Sequence, residues 1–253
     1  MSCQIHPSAI VSPKAQLGER VTVQPYAIIA DHVVIGDDSQ IGPHAVIHNF
    51  VRMGSNNQIH AHAVLGDLPQ DISFDQRETW VEIGDHNVIR EGVTIHRATS
   101  DERLTRLGSH TYLMANSHIA HDCTVENHVI LTNNVCLGGH VSVGERAILG
   151  GGVLIHQFCR IGAYAMVAAF TIARKDILPF TMSAGQPLKH YRLNSVGLRR
   201  NGIKGAEFKI VEQAYRHLKS GQKDLSHLEQ TTEIKILQTW LNAASKRGLS
   251  GFL

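Results

Sequence analysis

Aromatic residues are scarce in this chain of 253: seven Phe, five Tyr and two Trp make up 6%. Such a core has to be built from aliphatic side chains rather than packed rings. Charge is sparse too, 18% against 43% hydrophobic, so the chain is not disordered. No run approaches the roughly 18 apolar residues of a membrane span. The opening Met1-Ser2-Cys3-Gln4-Ile5-His6-Pro7 lacks the basic and apolar segments of a secretory signal. Four cysteines fall at no paired spacing, as expected of a reduced, cytoplasmic protein. The net charge of +2 is too small for a bulk nucleic-acid binder. No phosphate-loop, dinucleotide or nucleic-acid motif occurs. The charge is also uneven. Residues 188–253 hold 12 Lys/Arg and 5 Asp/Glu, net +7, while residues 1–187 hold 12 and 17, net −5.

What the chain does have is a period of six. Stepping from Ile5 to Val167 gives 28 positions, and 25 of them are Ile, Val, Leu or Met. Chance would fill about eight. The exceptions are Asp71, Arg77 and Asp101, in two stretches that read as loops, near 66–80 and 97–106. Gly often follows the aliphatic residue, as at Gly18, Gly36, Gly138 and Gly144, where it is expected to permit the turn conformation. A small or β-branched residue comes four after the aliphatic one, as at Ala27, Ala45, Cys123 and Cys159. This is the hexapeptide repeat of a parallel β-helix: three hexads make one 18-residue triangular coil, with the aliphatic residue inside. Residues 1–187 are therefore expected to form the β-helix and 188–253 a helical domain. Within the latter, helical spacing covers Lys204–Ser220 and Glu233–Lys246, the second including Ala244.

The coil count also places the polar residues. His121, His140 and His156 fall in one column, with His118 beside it and His96 joining if residues 101–106 are one looped-out hexad. Two chemistries suit a histidine column. Imidazoles can hold zinc with an open position, as γ-class carbonic anhydrases do on this fold. Alternatively, a neutral imidazole can act as a general base near pH 7. Asp122 follows His121 and could orient its ring, and Gly138-Gly139 precedes His140 with backbone N–H groups for an oxyanion. Acyl transfer to a hydroxyl needs both features, and zinc needs neither. Cys123 and Cys159 read as packing residues. Asp71 reads as a loop-capping residue in a functional insertion. The basic tail suits an acidic partner.

The blocks GDLPQD (66–71), ETWVEIGD (78–85), IREGVTIHR (89–97), SHIAHDCTV (117–125), GGHVSVG (138–144) and IHQFCRIGA (155–163), with NSVGLRRNG (194–202) and KRG (246–248), run in order along the whole chain. In them the sequence resembles the UDP-N-acetylglucosamine O-acyltransferases of lipid A biosynthesis. The resemblance implies a left-handed β-helix with a C-terminal α-helical domain, assembled as a homotrimer with sites between subunits. It implies a 3-hydroxyacyl donor on acyl carrier protein, a UDP-sugar acceptor attacking through its 3-hydroxyl, and no cofactor or metal. His121 would be the base, Asp122 its partner and Gly139 N–H the oxyanion donor. Asp71, His118, His140 and His156 would hold the sugar and phosphates. Gln157, Asn194 and Arg200 would contact acyl or nucleotide parts, and Ala169 would lie near the end of the acyl groove. Three positions depart from the family: Ser73 stands for Lys, Val196 for Glu and Asn201 for a second Arg. These leave a 3-amino sugar nucleotide, and hence N-acyl transfer, as the alternative to the O-acyltransferase. A zinc-binding or non-enzymatic hexapeptide protein is the third reading.

Overall fold

The computed structural model describes residues 3–100 and 104–253. Met1, Ser2 and Asp101, all used in the sequence reading, lie outside the described residues. Each hexad folds as a two-residue strand and a turn, and every third strand pairs in parallel, Ile5 with Val23 and Val23 with Ile41. The result is a left-handed parallel β-helix with three faces, of twelve, nine and eight strands. The frame residues stack inside it: Ile41, Ile47, Leu65, Ile89, Ile95, Leu113, Ile119 and Leu131 are each 0% exposed. Burying one such side chain is worth about 1.5–3 kcal/mol. Repetition along the axis therefore supplies the stability that aromatic residues do not.

The two interruptions of the hexad frame keep its register because each is a whole number of hexads. Ile59 pairs with Ile89, 30 residues on, and Ile95 with Ile119, 24 residues on. The first inserted segment lies between strands Val64–Asp67 and Trp80–Ile83, the second between Thr94–His96 and Leu104–Leu107. The second is shorter than the sequence suggests, because Leu104–Arg106 already pair as strand with Trp80–Glu82. Both insertions leave the helix on the same edge, where the chain passes from the nine-strand to the eight-strand face.

The turn glycines have a different cause from the one expected. Gly18, Gly36, Gly138 and Gly144 do not adopt positive φ. The left-handed residue comes two positions later, and it is usually His, Asn, Asp or aromatic, as at His110, Asn116, Asp122 and His140. Glycine is instead required by the next coil. A Cβ on Gly36 would sit 2.6 Å from the Gly54 carbonyl carbon, and one on Gly138 would sit 2.8 Å from Gln157 N.

The sheet also continues past the end of the hexads. Thr181–Ala184 and Lys189–Leu193 form an antiparallel pair on the twelve-strand face, and Gly251–Phe252 adds to it in parallel. The helical layer begins only at Ser195, beyond the expected boundary at 188. It comprises α1 (Ser195–Arg200), α2 (Gly205–Lys219) and α3 (Thr232–Asn242). Leu198, Val211, Ala214, Leu218, Ile234 and Leu237 form a second core with Leu178 and Phe180. Helix α3 stops four residues short of the expected Lys246, leaving Ala244 outside it. Arg160, held by buried Asp176 at 2.7 Å, donates to the carbonyls of Trp240 and Ala243 at 3.0 and 3.1 Å and so terminates the helix.

Candidate active site

The edge that carries both insertions also carries the histidine column. His121 and Asp122 occupy the turn between strands His118–Ile119 and Thr124–Val125, and His140 sits one coil on. His121 Nδ1 lies 2.8 Å from Asp122 Oδ2. The carboxylate is 1% exposed and the imidazole 12%. Burial alone would push the Asp122 carboxyl up. Hydrogen bonds from His121 and Thr99 outweigh it and hold the group below its ordinary value. An ionised carboxylate only accepts, so His121 Nδ1 is the donor in this contact. Asp122 also lies 3.7 Å from His140 Nε2, and the two rings meet edge to face at 5.2 Å. His140 in turn stacks on Phe158 at 4.5 Å.

Gly139 passes directly against the His121 ring. A Cβ there would lie 2.5 Å from Cε1 and 2.7 Å from Nε2. Its frame position is the one held elsewhere by Pro7, Pro13, Pro25 and Pro43, so the coil does not need that N–H. At Glu19, Ser55 and Ser109, in the same position, the N–H donates to a side chain: Glu19 N to Asp37, Ser55 N to Asp85, Ser109 N to Asn127. Gly139 N–H lies beside the His121 ring without a partner among the described residues. The opposite end of the same peptide group, Gly138 O, accepts from Cys123 Sγ at 3.2 Å. Cys123 is fully buried and its thiol is pushed up to about 12, by desolvation first of all. It packs and orients rather than attacks, and burial pushes the Cys159 thiol up to about 12 as well.

The other expected residues divide by edge. Asp71 lies in the 68–79 insertion and feels the charges of His121 and Asp122; its carboxylate accepts from Ser73 Oγ at 2.7 Å and Ser73 N at 2.9 Å. Ser73 thus caps Asp71. His118 contacts Thr94 Oγ1 at 2.7 Å and meets His96 edge to face at 5.0 Å. Desolvation, with His96 and His121 nearby, pushes His118 down to about 4. His156 and Gln157 stand on the same edge, where Gln157 O accepts from Arg247 Nε at 2.9 Å. Lys246 Nζ sits 4.2 Å above the Phe158 ring, so the tail brings cations to this edge.

Ala169 lies on a second edge, between strands Met166–Val167 and Ile172–Ala173. Asn194 and exposed Arg200 lie beside the third. Asn194 caps α1 through Gly197 N at 3.1 Å and donates to Tyr164 O at 2.9 Å. Both ends of its amide are engaged inside the fold, so it holds α1, and with it Arg200, in place. Asn201 accepts from Arg146 Nη1 at 2.8 Å. Two hollows of about 620 Å³ lie away from His121, one between the eight-strand face and α3, the other near the Lys189 hairpin. The histidine edge itself stays open in the single chain.

The sequence reading missed Thr99 and Thr105. Thr99 Oγ1 donates to Asp122 Oδ2 at 2.7 Å, and Thr105 Oγ1 accepts from Asp122 N at 2.9 Å. Thr99 lies within the second insertion and Thr105 on the strand that follows it, where coil counting does not reach.

His121, Asp122 and His140 each place a donor atom within 4.8 Å of the others, a spacing open to a metal ion. The close Nδ1–Oδ2 contact makes His121 and Asp122 first a hydrogen-bonded pair, with the Gly139 N–H alongside. A hexapeptide β-helix bearing a carboxylate-oriented imidazole next to a backbone N–H without a partner among the described residues has the parts of an acyltransferase. Comparison with known proteins narrows that class. Residues 32–67 and 105–139 match the bacterial transferase hexapeptide family, and residues 176–250 match the second domain of UDP-N-acetylglucosamine O-acyltransferase. The acyl-[acyl-carrier-protein]--UDP-N-acetylglucosamine O-acyltransferase of Alkalilimnicola ehrlichii is 50% identical, over 97% of this chain and 98% of its own. The crystal structure of UDP-N-acetylglucosamine O-acyltransferase from Moraxella catarrhalis superimposes with a TM-score of 0.90 at 36% identity, over 97% of this chain and 98% of that one. The UDP-N-acetylglucosamine acyltransferase of Campylobacter jejuni gives 0.91 at 33%, over 99% and 100%. The chain belongs to the UDP-N-acetylglucosamine O-acyltransferase family.

Proposed function

We propose that this chain transfers a 3-hydroxyacyl group from acyl carrier protein to the 3-hydroxyl of UDP-N-acetylglucosamine, the first step of lipid A biosynthesis. The observation that carries the chemistry is the His121–Asp122 contact of 2.8 Å with Gly139 packed against the same ring. His121 Nε2 takes the proton of the sugar hydroxyl as its oxygen attacks the thioester carbonyl. Gly139 N–H stabilises the resulting oxyanion. Collapse forms the ester, breaks the C–S bond and releases the thiolate, which takes the proton back from His121. Asp122 stabilises the imidazolium in between.

The three edges argue for assembly. His121, Ala169 and Arg200 cannot face one ligand within a single prism, whereas neighbouring prisms in a homotrimer would bring different edges together. In that assembly Asp71, His118, His140 and His156 hold sugar and phosphate, Gln157 and Arg200 reach the acyl and nucleotide ends, and Ala169 closes the acyl groove. The net +7 of residues 188–253 steers the acidic carrier protein. Among the described residues no helix is long and apolar enough to cross a membrane, and we place the reaction in the cytoplasm. The chemistry needs no metal, because Asp122 already serves His121 and Thr99.

The decisive assay supplies UDP-N-acetylglucosamine and its 3-amino analogue together with several acyl carrier protein thioesters, in chelator, and identifies products by mass. Ester on the 3-hydroxyl sugar is expected. Amide on the amino sugar alone would make the chain an N-acyltransferase. Stoichiometric zinc, with activity lost to chelation, would overturn the metal-free chemistry.

A further inference from the structure

The coil that leads to His121 is 24 residues long rather than 18. Its extra hexad emerges on the catalytic edge and returns as strand Leu104–Leu107. We propose that Thr99 is a positioning residue for the His121–Asp122 pair, delivered to it by this inserted hexad. The proposal rests on the reading of His121 as the general base.

One carboxylate oxygen is contested. Asp122 Oδ2 has His121 Nδ1 at 2.8 Å and His140 Nε2 at 3.7 Å, two imidazoles on successive turns. Rotation of the carboxylate toward His140 would leave His121 without its partner. Thr99 blocks that rotation. Its Oγ1 donates to Oδ2 at 2.7 Å and its N–H lies 3.3 Å from both oxygens, which fixes the carboxylate plane. Thr105 holds the backbone from the other side by accepting Asp122 N–H. The carboxylate is 1% exposed, so water is poorly placed to replace a lost donor.

Thr99 also sets how much negative charge Asp122 shows to the ring. Without the hydroxyl the carboxylate is free to turn toward His140, the His121 imidazolium loses part of its stabilisation, and the pair takes up its proton at lower pH. The other titratable groups facing the pair are His140 on the next turn, Asp71 on the first insertion, and His118 and His96 on the nine-strand face.

The test is Thr99→Val, which keeps the size and the backbone N–H, alongside Thr99→Ser. For Thr99→Val, kcat should fall between about 10- and 100-fold with the acceptor KM near wild type. The acid limb of kcat/KM should move to lower pH, and the NMR titration of the His121 ring should move with it. Thr99→Ser should restore all three. Wild-type turnover and titration in Thr99→Val would overturn the proposal. So would a raised KM at unchanged kcat, which would put the loop on the substrate, or a loss without a titration shift that Ser does not rescue. His121→Ala in the same assay separates the two readings: if it stays active the base assignment fails, whereas an inactive His121→Ala with a normal Thr99→Val removes only the positioning role.

Discussion

All three edges of this prism carry histidines, and two of them are built differently. On one, His86, His110 and His128 stack face to face, with centroids 4.8 and 5.0 Å apart and planes within 9°. All three take the left-handed turn position and spread over the surface. On the other, that turn position before His140 belongs to Asp122, and His121 precedes it. The carboxylate turns a ring against itself, and Gly139 leaves room for the ring to lie there. The difference shows that a histidine column on a β-helix is not by itself a site. A column becomes reactive where one turn exchanges imidazole for carboxylate and the next omits a side chain. The insertions follow the same division, since both leave on the His121 edge and neither on the His110 edge.

Substituting one histidine from each edge breaks the comparison most severely. His121→Ala should lower the rate of acyl transfer on the order of 10²–10⁴-fold. His110→Ala, which removes the middle of the stacked ladder, should leave kcat within about twofold, since surface changes away from special features are nearly neutral. Parallel steady-state assays, with melting curves to confirm folding, read both.

The next largest effect comes from the missing side chain. Gly139→Ala places a methyl group 2.5 Å from His121 Cε1, so the ring must move. A displacement of about 1 Å at the reacting group costs about 10²-fold. The loss should appear in kcat with thermal stability little changed. A fully active Gly139→Ala would show that the ring has slack.

Acid should separate the edges more gently. His118, behind the catalytic edge, and His190, whose Nε2 accepts from Leu178 N–H at 2.9 Å, are both pushed down to about 4, chiefly by desolvation. Their unfolded value is 6.5. Between these limits the unfolded chain binds more protons than the folded one, so stability rises with pH across that window. It is complete above 6.5 and declines as the pH falls toward 4. Urea midpoints at pH 7, 5 and 4 should show the decline. His118→Gln should flatten part of it, leaving the share that His190 contributes.

Much of this was open to reading in the chain. The hexad frame marked its own interruptions at Asp71 and Arg77, and both insertions proved to be whole hexads because the inward face cannot change register without exposing its aliphatic residues. Counting by coils brought His121, His140 and His156 together, and the Asp122 and Gly139 neighbours distinguished acid–base chemistry from a bare imidazole column. Thr99 stayed hidden because the inserted hexad has no neighbour in the count. The glycines were assigned the wrong cause, since composition does not distinguish a strained φ from a close approach. The early stop of α3 depends on Arg160, 80 residues from Trp240 in sequence and 4.4 Å from its ring in space.

The central claim is that His121 and Asp122 act as one unit, and a double-mutant cycle measures it most directly. His121→Ala, Asp122→Asn and the double variant are compared by single-turnover acyl transfer at saturating donor. If the carboxylate works only through the imidazole, the double variant is no slower than His121→Ala alone, because members of one catalytic unit are not additive. Losses that multiply, with Asp122→Asn slowing the enzyme as much with His121 absent as with it present, would contradict the account.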